Sequence, residues 1–408
     1  MGASCGKAGR AFVRRHPAAP PLTDWVVKFV KQAYLDNSAT TAVCKQAADK
    51  AYEMMTGCYG NPSSLHTVGF AAEQELTAAR RAVAKLLGCP PDTLIFTSGG
   101  TEANNLAILG GWAARKRRGG HAVTTAVEHP SVAAAFDALE KEGAQVDRLV
   151  PDEQGRLTAE QIAAACREDT ILVSVMLVNN ETGARFPVEE AAPLIRRRAP
   201  QALIHCDAVQ AAGKIPVFPE KMGVDALSVS GHKLHAPKGV GALYLRKGVR
   251  VVPRALGGGQ EKGLRSGTEP VPLIAAFGAA AAALPPFEDQ RRHYEALRAL
   301  LLRELGGRDD IRFHLPEGGV PYIVHLSVPG LRSETLLHFL AERGVSVSSG
   351  SACSKGRKSP VLTAMGLPSP EIDSALRLSF CYENTEQDIR QFLDALEEAM
   401  ASLARKGR

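Results

Sequence analysis

The stretch SVSGHKLHAPKGVGALYL, Ser228–Leu245, sets His232, Lys233, His235 and Lys238 between two strand-like apolar runs, ALSVS and VGALYL. A lysine at a strand end ordinarily snorkels, its stem buried and its ammonium in water. It can also be an amine whose lowered pKa serves imine chemistry. The segment alone does not separate the two readings, so the rest of the chain has to.

Working outward, LIFT (94–97), AVTTAV (122–127), ILVSVMLV (171–178), ALIHC (202–206) and GALYLR (241–246) read as further strands. Several are apolar throughout, as strands covered on both faces are. Helical patterns such as AAEQELTAARRAVAKLLG and TAEQIAAACRE lie between them. Such alternation predicts an α/β fold, a mainly parallel sheet flanked by helices, with ligands beyond the carboxyl ends of its strands. From about Pro285 the texture changes to a charged amphipathic helix, short strands and a terminal helix, a smaller α+β domain. The expected division is an extension over 1–32 outside the fold, a large domain over 33–285 and a small domain over 286–408.

Composition narrows the function. With 408 residues, 45% hydrophobic and 23% charged, the chain can bury a large core without disulfides or metal. Its eight cysteines are scattered with no CxxC pair, which predicts reduced thiols and a cytoplasmic setting, not a zinc site. Of the net charge of +6, all but one unit falls in residues 1–32, where six Lys and Arg face only Asp24. No basic stripe remains for the folded part, so direct nucleic-acid binding is not expected. The apolar run VPLIAAFGAAAAAL (271–284) is short and alanine-dominated, a packed helix and no membrane span.

Polar residues recur at the strand ends. LIFT is followed by SGGTEANNLAI, small residues opening a helix whose free N–H groups suit an anion. The spacing is neither a dinucleotide fingerprint nor a P-loop, and fits a monophosphate better. His129 follows AVTTAV, Asn179 and Asn180 follow ILVSVMLV, Asp207 and Gln210 follow ALIHC, and Ser230, His232 and Lys233 follow ALSVS. One such residue is an ordinary cap or turn former. Together they are the inventory that pyridoxal 5′-phosphate needs: a lysine, an acid for the ring nitrogen and an anion site.

In chain order YLDNSATT, GNPSSLH, FTSGGTEANNLAI, EHPSV, NNETG, DAVQ, SGHKLHAPKG, GGGQEKGLRSGTEPV and SSGSACS resemble the cysteine desulfurases and selenocysteine lyases. These form part of the class V aminotransferase group of fold-type I pyridoxal-phosphate enzymes, and the bacterial cysteine desulfurases are the most similar. The resemblance runs from about Tyr34 to residue 400. It implies that Lys233 is the Schiff-base lysine and moves the substrate's Cα proton. It implies phosphate contacts from Gly100, Thr101, Ser230 and His232, and from Thr268 across a homodimer. Asp207 would face the pyridine nitrogen, Gln210 and Asn180 the ring hydroxyl and the substrate side, and His129 the ring face. Arg377, in ALRLSF, would pair the substrate carboxylate, a task suited to a bidentate guanidinium.

Cys353 decides the subclass. It lies in a small-residue segment with Lys355, Arg357 and Lys358, cations that favour its thiolate. In the resembled family this thiolate attacks the sulfur of L-cysteine, and the enzyme persulfide supplies an iron–sulfur scaffold or a tRNA-thiolation enzyme. The alternatives are a selenocysteine lyase, or a β-lyase or aminotransferase in which Cys353 is incidental. A non-catalytic cofactor-binding protein fits poorly with Lys233, Asp207 and Cys353 together.

Overall fold

The computed structural model describes residues 32–349 and 358–403. Strands are β1 (Ala33–Tyr34), β2 (Leu94–Thr97), β3 (His121–Thr125), β4 (Gln145–Leu149), β5 (Thr170–Ser174), β6 (Leu203–Asp207), β7 (Ala226–Ser230), β8 (Gly241–Leu245), β9 (Arg312–Phe313), β10 (Ile323–Ser327), β11 (Val345–Ser346) and β12 (Ala375–Ser379). Helices are α1 (Lys45–Thr56), α2 (Thr67–Leu86), α3 (Gly100–Asn105), α4 (Gly111–Arg115), α5 (Pro130–Lys141), α6 (Ala159–Ala164), α7 (Val188–Arg198), α8 (Val271–Ala283), α9 (Phe287–Leu305), α10 (Ser333–Glu342), α11 (Pro360–Ala364), α12 (Ser369–Ile372) and α13 (Glu386–Ser402).

Seven strands form the main sheet in the order β2-β8-β7-β6-β5-β3-β4. Five of them, β4, β3, β5, β6 and β7, run parallel, while β8 lies antiparallel between β7 and β2. Every residue of β3, β5, β6, β7 and β8 is buried, the physical reason their sequences lack polar alternation. Polar QVDRL forms the edge strand β4, partly exposed, which sequence patterning did not find. The run ILVSVMLV leaves the ladder after Ser174 but stays extended along β6, Leu177 N–H donating to the Asp207 carbonyl at 2.9 Å.

The apolar helix α8 is buried against α1 and α2, as its composition predicts. Gly278 allows this approach: a Cβ there would sit 2.6 Å from Ala79 Cα. No single described helix is long and apolar enough to cross a membrane.

A second sheet, β12-β10-β9, lies in the C-terminal part. The N-terminal β1 pairs with β11 and not with the large sheet, Ala33 opposite Val345. Asn37 Nδ2 donates to the Ser379 carbonyl at 2.9 Å and to Asn384 Oδ1 at 3.0 Å. The residues that follow return to the large sheet, where Thr41 N–H donates to the His232 carbonyl at 2.9 Å. The segment 33–41 thus stitches the two sheets together.

Four imidazoles, His205 and His235 buried and His232 and His314 half-buried, are held neutral. Burial pushes His205 down to about 3 and His314 to about 4. Burial first, then nearby cations, pushes His232 and His235 to about 4. Between roughly pH 4 and 6.5 the unfolded chain therefore binds protons that the native state refuses, so this stability is complete above pH 6.5 and lost on acidification. Buried Glu128 and Glu181, raised to about 8 and about 7, act in the opposite sense but are two groups against four. The thermal unfolding midpoint should accordingly fall as pH drops from 6.5 to 4.5. A midpoint that stays level or rises across that range would contradict this accounting.

Candidate active site

The carboxyl ends of β3, β5, β6 and β7 open on one crevice, and the polar residues expected there are found in it. Asp207 ends β6 and is 4% exposed. Its Oδ1 accepts the Val209 N–H at 2.9 Å and its Oδ2 accepts Asn104 Nδ2 from α3 at 2.7 Å. Two donors compensate part of the desolvation that a buried carboxylate suffers. Lys233 follows β7 in a single turn, Gly231–Lys233, where its ammonium donates to the Ala39 carbonyl at 2.7 Å and to that of Ser38. Gln210 Nε2 donates to the same Ser38 carbonyl at 2.9 Å. The YLDNSATT segment thereby lines the site with backbone oxygens, a role its sequence does not advertise.

Gly99, Gly100 and Thr101 open α3 beside Ser230. A Cβ on Gly100 would come within 2.7 Å of Val209 Cγ2, and one on Gly241 within 2.7 Å of Gly99 Cα. Only hydrogen at these positions lets β8, β7 and the start of α3 close together. Ser230 is buried and Thr101 exposed. His232 lies beside Thr40, its Nδ1 3.2 Å from Thr40 Oγ1.

His129 caps α5, its Nδ1 accepting the Ser131 N–H at 3.2 Å. Its imidazole is water-accessible yet enclosed by the crevice walls. Burial lowers its pKa below 6.5, with Asp207 opposing and Lys233 reinforcing the shift. The ring is therefore neutral at physiological pH.

The paired asparagines separate cleanly. Asn179 is consumed in its own turn: Oδ1 accepts the N–H groups of Glu181 and Thr182, each at 2.9 Å, and Nδ2 donates to the Val127 carbonyl at 3.0 Å. Asn180 is only half-buried, and its carbonyl accepts Arg377 Nη1 at 2.9 Å. Of the two, Asn179 is the one held by its own turn.

Arg377 is 6% exposed on β12, not solvated as an edge-strand arginine would be. Its Nη2 donates to Asp36 Oδ1 at 2.6 Å, and its buried Nε has no partner among the described residues. Ser348, at the end of β11, exchanges backbone hydrogen bonds with Arg377 at 3.1 and 2.7 Å. Ser359 Oγ donates to Glu181 Oε2 at 2.5 Å. Thr268 is exposed on the loop between β8 and α8, and Cys353 lies outside the described residues.

Buried groups that sequence reading missed surround this set. Lys214 sits beneath Gln210, its Nζ 3.5 Å from Oε1 and 5.3 Å from the Tyr322 ring centroid, with its pKa lowered to about 7 by burial and then by Lys233. Glu128 accepts Thr125 Oγ1 at 2.8 Å and Met176 N–H at 2.9 Å through Oε1, and its Oε2 is unpartnered. Burial foremost raises it to about 8, so it is protonated at neutral pH. DAVQAAGK and VEHP contain both residues, but nothing in their local pattern marks a buried charge.

The aminotransferase class-V family profile matches residues 33–392. The chain belongs to the class-V aminotransferase family. A NifS/IcsS protein homolog of Lactobacillus delbrueckii subsp. bulgaricus is 41% identical over 90% of this chain and 96% of its own length. The putative cysteine desulfurase IscS 1 of Bacillus subtilis is 39% identical over 88% and 96%. Among solved structures, a NifS-like protein superposes with a TM-score of 0.86 at 36% identity, covering 91% of this chain and 100% of that one.

Pyridoxal 5′-phosphate is the cofactor of this class-V enzyme, and the crevice fits it. A primary amine and a buried carboxylate end neighbouring strands, and the close packing of glycines at the start of α3 brings its exposed Thr101 to the same end as the Ser230 hydroxyl, donors that suit a phosphate. Lys233, Asp207, His129, Ser230, His232 and the Gly100–Thr101 backbone would hold it. Borohydride reduction of the loaded protein should fix the label on the peptide containing Lys233, and Lys233→Ala should abolish covalent attachment. Label on another lysine, Lys214 included, would displace Lys233 from this role.

Proposed function

We propose that the chain is a pyridoxal-phosphate-dependent cysteine desulfurase, converting L-cysteine to L-alanine and leaving the sulfur as a persulfide on Cys353. The observation that carries this reading is the anchoring around Arg377. The chain enters the Cys353 segment at Ser348, paired to the Arg377 backbone, and leaves it at Ser359, bonded to Glu181 next to Asn180. Both described flanks of the segment that carries Cys353 in sequence are thus attached beside Arg377 and Asn180, the residues assigned to the substrate.

When bound, the cofactor supplies a sink for the electron pair released at the substrate Cα. Arg377 would bind the substrate carboxylate, Asp207 would face the ring nitrogen, and the Lys233 amine would carry the Cα proton. The Cys353 thiolate attacks the substrate sulfur: an S–S bond forms, the Cβ–S bond breaks, and Cβ keeps the pair and takes up a proton as the alanine methyl. Thiol plus cysteine gives persulfide plus alanine, balanced without an external oxidant or reductant.

The persulfide would pass to an acceptor protein such as an iron–sulfur scaffold or a tRNA-thiolation enzyme. A homodimer is part of the proposal. Exposed Tyr52, Met55, Tyr59, Leu65 and Phe70 on and between α1 and α2, with Leu256 before the Thr268 loop, supply apolar surface for a second copy. Thr268 would then serve the partner's phosphate. A cytoplasmic location fits the six described cysteines, all unpaired. The solved structure titled SspA in complex with cysteine, 32% identical with a TM-score of 0.76, supports cysteine as substrate.

Cys353→Ser tests the reading, because a hydroxyl is un-ionised at neutral pH and attacks sulfur poorly. The variant should keep its bound cofactor and still bind cysteine, yet lose alanine and sulfide formation by at least about a hundredfold. Mass spectrometry of the wild type after cysteine treatment should add one sulfur to the Cys353 peptide. Normal turnover by the variant would make Cys353 incidental and favour a β-lyase. Loss of cysteine turnover alone, in an enzyme that strongly prefers selenocysteine, would favour the lyase.

A further inference from the structure

Asn104, Ser131 and His129 form a hydrogen-bonded chain that ends on Asp207. Asn104 and Ser131 are 1% and 9% exposed, so the bonds of Asn104 to Ser131 and Asp207 form out of water, where orientation is costly to leave wrong, while the bonds to exposed His129 are part-buried. Asn104 Nδ2 lies 2.7 Å from Asp207 Oδ2 and 2.9 Å from Ser131 Oγ, while its Oδ1 is buried without a partner. A flipped amide would set its oxygen against the carboxylate, so the NH2 group faces both neighbours. Its two hydrogens then serve one each. Ser131 Oγ therefore accepts from Asn104, and its single proton goes to His129 Nδ1, 2.8 Å away. Nδ1 already accepts the Ser131 backbone N–H at 3.2 Å. Every hydrogen on this path points from Asn104 outward.

We infer that Asn104, acting through the Ser131 hydroxyl and reinforcing the Ser131 backbone N–H, is a positioning residue that favours the Nε2–H tautomer of His129 and at the same time orients Asp207. One amide thus sets the two groups assigned to opposite sides of the cofactor ring, an assignment that rests on the reading above. With Nδ1 committed to the protein, Nε2–H is the only hydrogen the neutral ring can offer a ligand. The direction follows from Asn104 having two donors and no hydrogen to accept. A carboxylate in its place would reverse the path and repel Asp207.

The test uses full-length protein labelled with 15N-histidine, without and with pyridoxal phosphate. His129 is assigned among the 11 histidines by its loss in His129→Gln. In wild type Nδ1 should resonate as the unprotonated and Nε2 as the protonated nitrogen. Asn104→Ala lets the Ser131 hydroxyl turn away, and the Nδ1–H form should gain about fivefold, the value of one ordinary hydrogen bond. It should also weaken cofactor binding roughly tenfold or more, through loss of a charge-assisted bond to Asp207. In a Ser131→Ala background, Asn104→Ala should still weaken cofactor binding but no longer move the His129 nitrogens. Equal movement of those nitrogens in both backgrounds, or an Nδ1–H wild type, would overturn the relay. Should Asn104→Ala fail to fold, Ser131→Ala against Ser131→Thr decides: the first must shift the His129 nitrogens and the second restore them, and equal shifts would overturn it. These spectra need no cysteine turnover, so a failed desulfurase reading and a failed relay are distinguishable.

Discussion

A carboxylate buried at the middle of a parallel sheet is the constraint on which the rest depends. A carboxyl group buried there needs donors that water cannot supply, and the sheet order provides them. β6 carries it to the crevice, the turn after β6 returns the Val209 N–H, and α3 brings Asn104 beneath it. A second buried acid, Glu128, stands nearby. Burial chiefly, and the neighbouring Asp207 to a smaller degree, raises Glu128 to about 8, so it is protonated at neutral pH.

The second constraint is that the site belongs to neither sheet alone. Asp36 bonds Arg377 of β12, while Ser38 and Ala39 receive Lys233 and Gln210 from the large sheet, and Thr41 bonds His232. A few residues at the start of the described chain thereby set the spacing between the amine and the carboxylate anchor. Backbone carbonyls suit this task because their positions change little with side-chain rotamers. The Lys233 ammonium donates to the Ser38 and Ala39 carbonyls, so this segment helps to place the amine.

Much of this was legible in the sequence, and the gaps have physical causes. Strand ends were readable because fully buried strands are mostly apolar, so a cluster of polar and glycine residues directly after one stands out. SGGTE after LIFT and GHK after ALSVS show it, and β4 was missed because QVDRL is a half-exposed edge. Lys233, Asp207 and His129 lie at the ends of β7 and β6 and just after β3, where the polar pattern placed them. Asn104 did not stand out, because the partner that gives it meaning is Asp207, 103 residues away. Lys214 and Glu128 were hidden likewise, since a helical or turn pattern says nothing about which charges the tertiary fold will bury. Asn179 and Asn180 are chemically identical in sequence and were separated only by the turn that consumes one of them.

Arg377 joins these threads. A guanidinium this buried must be satisfied before any substrate arrives, and Asp36 and the Asn180 carbonyl do so through Nη2 and Nη1. Its buried Nε has no partner among the described residues. On the proposed reading, an incoming α-carboxylate that met Nε would complete the set, at the cost of repulsion from Asp36, which already occupies part of the fork. Backbone pairing with Ser348 ties this arginine to the described edge of the segment that carries Cys353 in sequence, so the residue proposed to hold the amino acid also fixes the start of the chain proposed to remove its sulfur.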